Sequence, residues 1–323
     1  MIKIYKLNNQ IKHYEWGSQK ILPGFLGVEN REGRPYAEMW MGTHNAAPSQ
    51  ITIDGTLKKL NEISGELSFL FKLLAVEKPL SIQAHPDKTC AQEGFLRENK
   101  KGLSMDDPTR NYKDSNPKNE VLCALTPFTL LAGFRKPEEI LASYGAASAS
   151  QAELIKKMES IYPEDPGVYS PLYLNLLTLQ PGEAVFLPAG TVHSYISGFG
   201  IELMNNSDNV LRAGLTSKHM DTEELSRIID PNSFLPEIIT PKNQSVFTYP
   251  FICDDFSFSF ICGKGDKVSF CANNASIGIV TEGELDIDGF LCKKGESFFI
   301  PQSNTQLLFS GNFSLYIASG KQQ

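Results

Sequence analysis

The sequence lacks long apolar runs and an excess of positive charge. Its longest uninterrupted apolar run, residues 121–125, has five residues, whereas a membrane-spanning helix needs about 20. Lysines interrupt the apolar residues at the N-terminus, so no signal-peptide core is present and we expect a cytoplasmic protein without a membrane partner. The 323 residues carry 37 acidic and 30 basic side chains, a net charge of −7. This balance argues against broad nucleic-acid binding.

Motifs for nucleotide binding and for cysteine chemistry are also missing. No GxGxxG motif follows a predicted strand and no GxxxxGK[ST] motif occurs, so dinucleotide-binding and P-loop functions lose their usual support. The six cysteines form no CxxC pair, which argues against a zinc ribbon or a thioredoxin-like site. We expect them to be reduced and packed as small apolar side chains.

Short apolar runs separated by turn residues are abundant and predict a mainly β protein. Their close spacing leaves no room for alternating strand–helix units and favours a barrel or sandwich. The predicted strands include residues 79–84, 120–125, 184–187, 200–204, 256–262, 277–281 and 297–300. Helices are predicted at 89–101, at 137–162 as two helices with a break near Ser148, and at 166–177, all packed beside a barrel.

An internal repeat organises the chain. Residues 182–188, GEAVFLP, resemble residues 295–301, GESFFIP, and each copy has a turn, a buried strand and a proline. The first copy continues to His193, whereas the second has Gln306 at the corresponding place. The first copy also resembles the second cupin motif, Gx5PxGx2Hx3N, with Ser197 in place of the final Asn. The resemblance implies two cupin (double-stranded β-helix, jelly-roll) barrels, of which the second is degenerate.

Two of the five histidines lie in patterns typical of metal ligands. In a strand, Gln83 and His85 would point to the same face. His193 is the histidine of the cupin motif, and Glu120 opens an apolar strand, which makes it the natural carboxylate partner. One amide oxygen, two imidazoles and one carboxylate complete a four-ligand zinc site. We therefore expect one Zn²⁺ per chain.

Seven segments in order resemble type I mannose-6-phosphate isomerase, also called phosphomannose isomerase. They are residues 14–18, 37–42, 69–72, 79–86, 111–114, 118–120 and 206–216, and the last contains SDNVLRAGLT. The resemblance implies a zinc-dependent aldose–ketose isomerase that interconverts D-mannose 6-phosphate and D-fructose 6-phosphate through a cis-enediol. It also implies a catalytic zinc cupin domain at 1–240, with helical insertions at about 86–118 and 136–178, and a degenerate cupin domain at 241–323.

Functional residues carry over from the family by motif position. The zinc ligands fall on Gln83, His85, Glu120 and His193, the same set that the spacing suggests. The implied catalytic residues are Arg212, Glu202 and Lys118, and the implied substrate-binding residues are Trp16, Glu38, Lys72, Ser81, Tyr195, Asp208 and Lys218. Family members often carry His immediately before Lys118, but Pro117 stands there in this chain.

Several alternatives stay open at this point. Glu202, Asp208, Lys118 and a zinc-bound water are all candidate proton carriers. The phosphate anchor is open among Ser81, Lys72, Lys118 and Lys218, and neither oligomeric state nor an obligate protein partner is indicated. Two other functions compete with the isomerase. One is a catalytically inactive cupin that senses a sugar phosphate, and the other is an Fe(II)-dependent cupin oxygenase.

Overall fold

The protein is mainly β in a computed structural model that describes residues 3–321. The strands are β1 (Tyr5–Lys6), β2 (Gln10–Lys12), β3 (Glu38–Gly42), β4 (Gln50–Ile53), β5 (Thr56–Lys59), β6 (Phe69–Val76), β7 (Ile82–Ala84), β8 (Glu120–Ala124), β9 (Phe128–Phe134), β10 (Leu174–Leu179), β11 (Ala184–Leu187), β12 (His193–Asn205), β13 (Leu211–Gly214), β14 (Val246–Thr248), β15 (Phe256–Lys264), β16 (Val268–Cys271), β17 (Ser276–Ile287), β18 (Phe290–Lys293), β19 (Ser297–Ile300) and β20 (Gln306–Gly320). The helices are α1 (Ile21–Leu26), α2 (Asn61–Ser64), α3 (Lys88–Lys100), α4 (Pro137–Gly145), α5 (Ala149–Ile161) and α6 (Thr222–Ile228), with a 3₁₀ helix at Pro166–Leu172. In the described part of the chain, no helix has the length and hydropathy that crossing a membrane requires.

The chain divides into two compact units. The terminal unit contains the described residues up to Ala75, Ile201–Asn206 and the residues from Ile239 onward. The central unit contains Val76–Gly200 and Ser207–Ile238. The C-terminal strands thus belong to the same compact unit as the described residues up to Ala75. The assignment of two domains at 1–240 and 241–323 stays a prediction.

In the terminal unit, antiparallel strands surround an apolar core. β17 pairs with β18, β19 and β20, and β20 pairs in turn with β15 and β16. Alternate residues of these strands enter one core, which includes Phe298, Ile300 and Phe309. The period-2 pattern of a strand with one buried face accounts for this arrangement.

In the central unit, the antiparallel ladders run from β13 through β7 and β12 to β9 and β10, and β11 pairs with β8. One face of the first ladder packs Ile82, Leu131 and Leu211 into a core. Leu154 and Met158 of α5 enter the same core, so a predicted helix does pack on this face of the sheet. Residues between these apolar positions therefore point to the opposite face.

Each predicted strand segment contains a strand, and β11 and β19 have the predicted bounds. The prediction at 79–84 is wrong in its first half, because only Ile82–Ala84 is a strand there. Two of the predicted helical segments are confirmed as α3 and as the α4–α5 pair. The break between α4 and α5 arises at Ser148, whose side chain accepts a hydrogen bond from Gln151 N–H in a capping box.

The predicted helix at 166–177 is wrong in its second half. The 3₁₀ helix ends at Leu172, and Leu174–Leu179 is strand β10, paired with β9. Pro171 lacks the N–H that a continuing helix needs, and the neighbouring strand supplies partners for the backbone that follows.

Candidate metal centre and the residues around it

Three predicted site residues share one row across the central sheet. Gln83 of β7 lies opposite His193 of β12 on one side and opposite Arg212 of β13 on the other. Directly opposed residues in antiparallel strands project to the same face. Because their neighbours Ile82 and Leu211 enter the apolar core, the row faces away from that core.

The turn before His193 depends on a glycine. Gly190 has φ +84°, a left-handed conformation that favours glycine, and a Cβ there would lie 2.9 Å from the backbone oxygen of Ile228. Its N–H donates to the backbone oxygen of His85 over 2.8 Å. The cupin-type turn therefore ties the segment that precedes His193 to the backbone of His85.

His85, Glu120 and His193 form a buried group that could hold a metal ion. His85 Nε2 lies 3.1 Å from Glu120 Oε1, and His193 Nε2 lies 3.2 Å from Glu120 Oε2. The side chains of all three residues are at most 2% exposed. The carboxylate thus stands between two imidazole nitrogens.

The hydrogen bonds of the two imidazoles decide which nitrogens are available. His85 Nδ1 donates to the backbone oxygen of Asn209 over 2.8 Å, and His193 Nδ1 donates to that of Thr191 over 2.9 Å. A carbonyl oxygen only accepts, so in the neutral imidazole Nε2 carries a lone pair. Both Nε2 atoms are buried without a hydrogen-bond partner among the described residues. Two lone pairs that face a carboxylate fit a cation, and this orientation of a ligating histidine by its other ring nitrogen is typical of metal sites.

The electrostatics keep this group in the ligand form. Burial, and then the charge of Lys118, lower the pKa of His85 to about 3, so this imidazole is neutral near pH 7. Burial raises the pKa of Glu120, but Lys118 and His85 outweigh that effect and hold the pKa well below its usual range. A neutral imidazole and an ionised carboxylate are the protonation states that bind a metal.

Two further predicted residues contact Glu120. Lys118 Nζ lies 3.0 Å from Oε1, and Tyr195 O–H donates to Oε2 over 2.9 Å. Tyr195 is fully buried. In the described structure Tyr195 therefore contacts a candidate ligand, although the family resemblance implies a substrate-binding role.

Arg212 and Lys218 are two cations whose charges interact, and Lys218 is an exposed residue. Burial lowers the pKa of Arg212, while burial and the charge of Arg212 both lower the pKa of Lys218. Within residues 3–321, the Arg212 guanidinium is half-buried and has neither an ion-pair nor a hydrogen-bond partner. Ser81, adjacent to β7, is half-buried, and Asp208 is exposed, with its N–H bonded to Asp114 Oδ2 over 2.9 Å.

The four remaining predicted residues lie in the terminal unit. Lys72 of β6 forms a buried ion pair with Glu202, with Nζ and Oε2 2.8 Å apart, and its Nζ also lies 5.0 Å from the centre of the Trp40 ring. Trp40 Nε1–H donates to Glu38 Oε2. Trp16 is half-buried and stacks on the ring of Tyr14. The lysine that interrupts an apolar strand is thus buried and paired.

Comparison with known proteins identifies the family. The model of the phosphomannose isomerase type I catalytic domain matches residues 4–137. Mannose-6-phosphate isomerase of Salmonella typhimurium is 34% identical over 95% of this chain and 97% of its own length. The chain belongs to the type I mannose-6-phosphate isomerase family.

More distant members and solved structures agree with this assignment. The human mannose-6-phosphate isomerase is 29% identical over 78% of this chain and 79% of its own length. A zinc-bound mannose 6-phosphate isomerase structure has a TM-score of 0.87 at 33% identity and covers 99% of this chain and 100% of its own. The S. typhimurium structure bound to its substrate and to zinc has the same TM-score, identity and coverage. The Salmonella alignment spans 378 positions, more than the 323 residues here, so that relative has segments that this chain lacks.

Sequence reasoning missed the residues that orient the ligands. Asn209 and Thr191 supply the carbonyl oxygens that fix the two imidazoles. Asp114 binds the segment that contains Asp208. Asn209 and Asp114 lie in family motifs, and this could have pointed to them. The roles of the Asn209 and Thr191 carbonyls could not be predicted, because every residue has a backbone carbonyl.

Proposed function

We propose that this protein is a zinc-dependent enzyme that interconverts D-mannose 6-phosphate and D-fructose 6-phosphate. The observation that carries the proposal is the pair of buried Nε2 atoms that face the Glu120 carboxylate and have no hydrogen-bond partner in the described part of the chain. Membership of the family, and the zinc and substrate bound in similar structures, support the choice of metal and substrate.

Gln83, His85, Glu120 and His193 would hold the zinc. The fold already groups His85, Glu120 and His193, and Gln83 shares a sheet row with His193. Two neutral imidazoles, a neutral amide and one carboxylate would leave a net positive charge at the centre. When bound, zinc supplies a Lewis acid that stabilises negative charge on a sugar oxygen.

Arg212 would stabilise the same developing charge. In an aldose–ketose isomerisation, a proton moves between C2 and C1 through a cis-enediol, and negative charge develops on the oxygens of those carbons. A half-buried guanidinium without a protein anion is costly to desolvate, and an anionic group would complete it. Loss of one preorganised positive group of this kind typically costs about 10²–10³ in rate.

Lys118, Lys218 and Ser81 would handle protons and phosphate. Lys118, as an ammonium held by Glu120, is a proton donor toward a sugar oxygen. Lys218, whose pKa is lowered by burial and by Arg212, would bind the phosphate as a second cation, with Ser81 as a hydrogen-bond donor. Tyr195 would hold Glu120 in its ligand orientation.

The terminal-unit residues and the domain layout belong to the same proposal. Trp16, Glu38, Lys72, Glu202 and Asp208 are proposed to bind or process the sugar. We also propose that the chain comprises two cupin barrels, a catalytic one within 1–240 and a degenerate one within 241–323. The strands β11 and β19 of the two repeat copies support this layout.

A coupled assay with mannose 6-phosphate, with and without a chelator, tests the function. We expect turnover that the chelator abolishes and zinc restores, and an Arg212→Ala variant about 10²–10³ slower that retains one zinc per chain. Full activity without zinc would refute the mechanism. Tight sugar-phosphate binding without turnover would indicate a sensor, and bound iron with oxygen-dependent turnover would indicate an oxygenase.

A further inference from the structure

A loop preceding Lys118 is clamped by one buried amide. Asn209, which is fully buried, accepts hydrogen bonds at Oδ1 from the N–H groups of Lys113 (2.8 Å) and Asp114 (3.2 Å). Its Nδ2 donates to the backbone oxygens of Asp114 (2.9 Å) and Asn116 (3.0 Å) and lies 3.2 Å from Asp114 Oδ1. Both polar atoms of the Asn209 side chain therefore form hydrogen bonds with residues 113–116.

The same residue holds His85 through its backbone. The Asn209 carbonyl oxygen accepts the hydrogen bond from His85 Nδ1 that leaves Nε2 free to face Glu120. The clamped loop leads directly to Lys118, whose N–H donates to the backbone oxygen of Pro86 over 3.1 Å. Asn209 thus connects His85 to the segment that carries Lys118 and Glu120.

Asp114 closes the clamp from the other side. Its Oδ1 accepts from Ser207 O–H over 2.9 Å, and its Oδ2 accepts from Asp208 N–H over 2.9 Å. Ser207 Oγ in turn accepts from Asn209 N–H over 3.2 Å. Residues 113–116 and residues 207–209 therefore each donate hydrogen bonds to the other segment. These bonds limit the freedom of the Asn209 carbonyl.

We propose that Asn209 is a positioning residue that sets the affinity of the centre for zinc. Its backbone carbonyl fixes the ring of His85, and its side chain fixes both that carbonyl and the loop before Lys118. This inference depends on the proposed zinc site. Loss of an outer partner of a ligating histidine typically weakens metal binding about 10–100-fold. Asn209 itself does not contact the metal ligands' Nε2 or carboxylate atoms, so its effect passes through His85 and the loop.

The test measures zinc affinity by competition with a chromophoric chelator, at a temperature where circular dichroism finds each variant folded. Asn209→Ala keeps the backbone carbonyl that binds His85 but loses the side chain that fixes it, so we expect zinc binding to weaken by up to about 10–100-fold relative to the unchanged protein. The control is Gln151→Ala, which removes another buried amide of the central unit, one that donates to the backbone oxygen of Pro171. This control should lower the unfolding temperature and leave zinc affinity unchanged.

Ser207→Ala provides a milder variant if Asn209→Ala fails to fold. It removes two hydrogen bonds of the clamp, the one donated to Asp114 Oδ1 and the one accepted from Asn209 N–H, and should weaken zinc binding several-fold. Equal zinc affinity in the unchanged protein and in whichever of these two variants folds, with only a lowered unfolding temperature, would overturn the inference and leave the proposed function intact. If the unchanged protein binds no zinc, the proposed function itself fails.

Discussion

The two copies of the internal repeat form the same local structure and carry different chemistry. In the first copy, Leu187 of β11 pairs with Glu120, and in the second, Ile300 of β19 pairs with Ser276. The register thus places Ser276 where the first copy has its carboxylate. By spacing from the proline, Gln306 replaces His193.

The difference lies in whether buried polar groups find protein partners. Ser276 Oγ donates to the backbone oxygen of Asn274 over 2.8 Å and lies 2.7 Å from Ser319 Oγ, so it is satisfied. Around the first copy, the Nε2 atoms of His85 and His193 have no hydrogen-bond partner among residues 3–321. Because a buried polar group without a partner is costly, the first copy requires a ligand and the second does not.

The largest effect should come from replacing Glu120, which pairs with the first copy, by serine, the residue that pairs with the second copy at the equivalent place. Glu120→Ser removes the carboxylate between the two imidazoles and leaves Lys118 buried without its ion-pair partner. We expect zinc content near zero and loss of isomerase activity. The matched variant Ser276→Ala should keep both. Zinc content and mannose 6-phosphate turnover are the measurements, and a Glu120→Ser protein that retains one zinc per chain would contradict the ligand assignment.

The next largest effect concerns the apolar interior of the second copy. Phe298 is fully buried in the core of the terminal unit, so Phe298→Ala should lower the free energy of unfolding by about 3–5 kcal/mol. Val185→Ala, at the equivalent position of the first copy, should cost less because it removes fewer carbon atoms. Denaturant unfolding measures both. Equal losses of unfolding free energy in Phe298→Ala and Val185→Ala would contradict this expectation.

His85 should make the free energy of unfolding of the metal-free protein depend on pH. His85 has its pKa lowered from 6.5 to about 3, so the unfolded state binds an additional proton between these values. The free energy of unfolding of the metal-free protein should therefore fall as pH falls through this window, by about 1 kcal/mol per pH unit. Unfolding curves of chelated protein at several pH values measure the slope. His85→Gln should flatten it, and parallel slopes would contradict the assignment.

The smallest effect is expected from restoring a histidine to the second copy. Gln306→His places an imidazole at the position that corresponds to His193, counted from the proline. However, Ser276 supplies no carboxylate at the paired position. We expect the zinc content to stay at one per chain. Two zinc ions per chain would show that the histidine alone decides metal binding.

Much of the site was predictable because its signals are local. The period-2 pattern of β7 puts Gln83 on the face opposite Ile82, and the turn that ends at Gly190 leads to His193. Glu120 was predicted as the carboxylate partner because it opens an apolar strand, and the family motifs point to the same residue. In contrast, the helix predicted at 166–177 was wrong in part because a neighbouring strand, distant in sequence, paired with residues 174–179.

The sequence by itself determined the mainly β class, the bounds of the two repeat strands and the set of candidate ligands, because these follow from short-range alternation, turns and motif spacing. Only the tertiary structure decided that Tyr195 binds Glu120 and that Asn209 holds both His85 and the loop before Lys118. It also decided that the described residues up to Ala75 join the C-terminal strands in one unit. Those features depend on contacts between residues far apart in the chain, and a backbone carbonyl or a buried hydroxyl shows its partner only when the chain is folded.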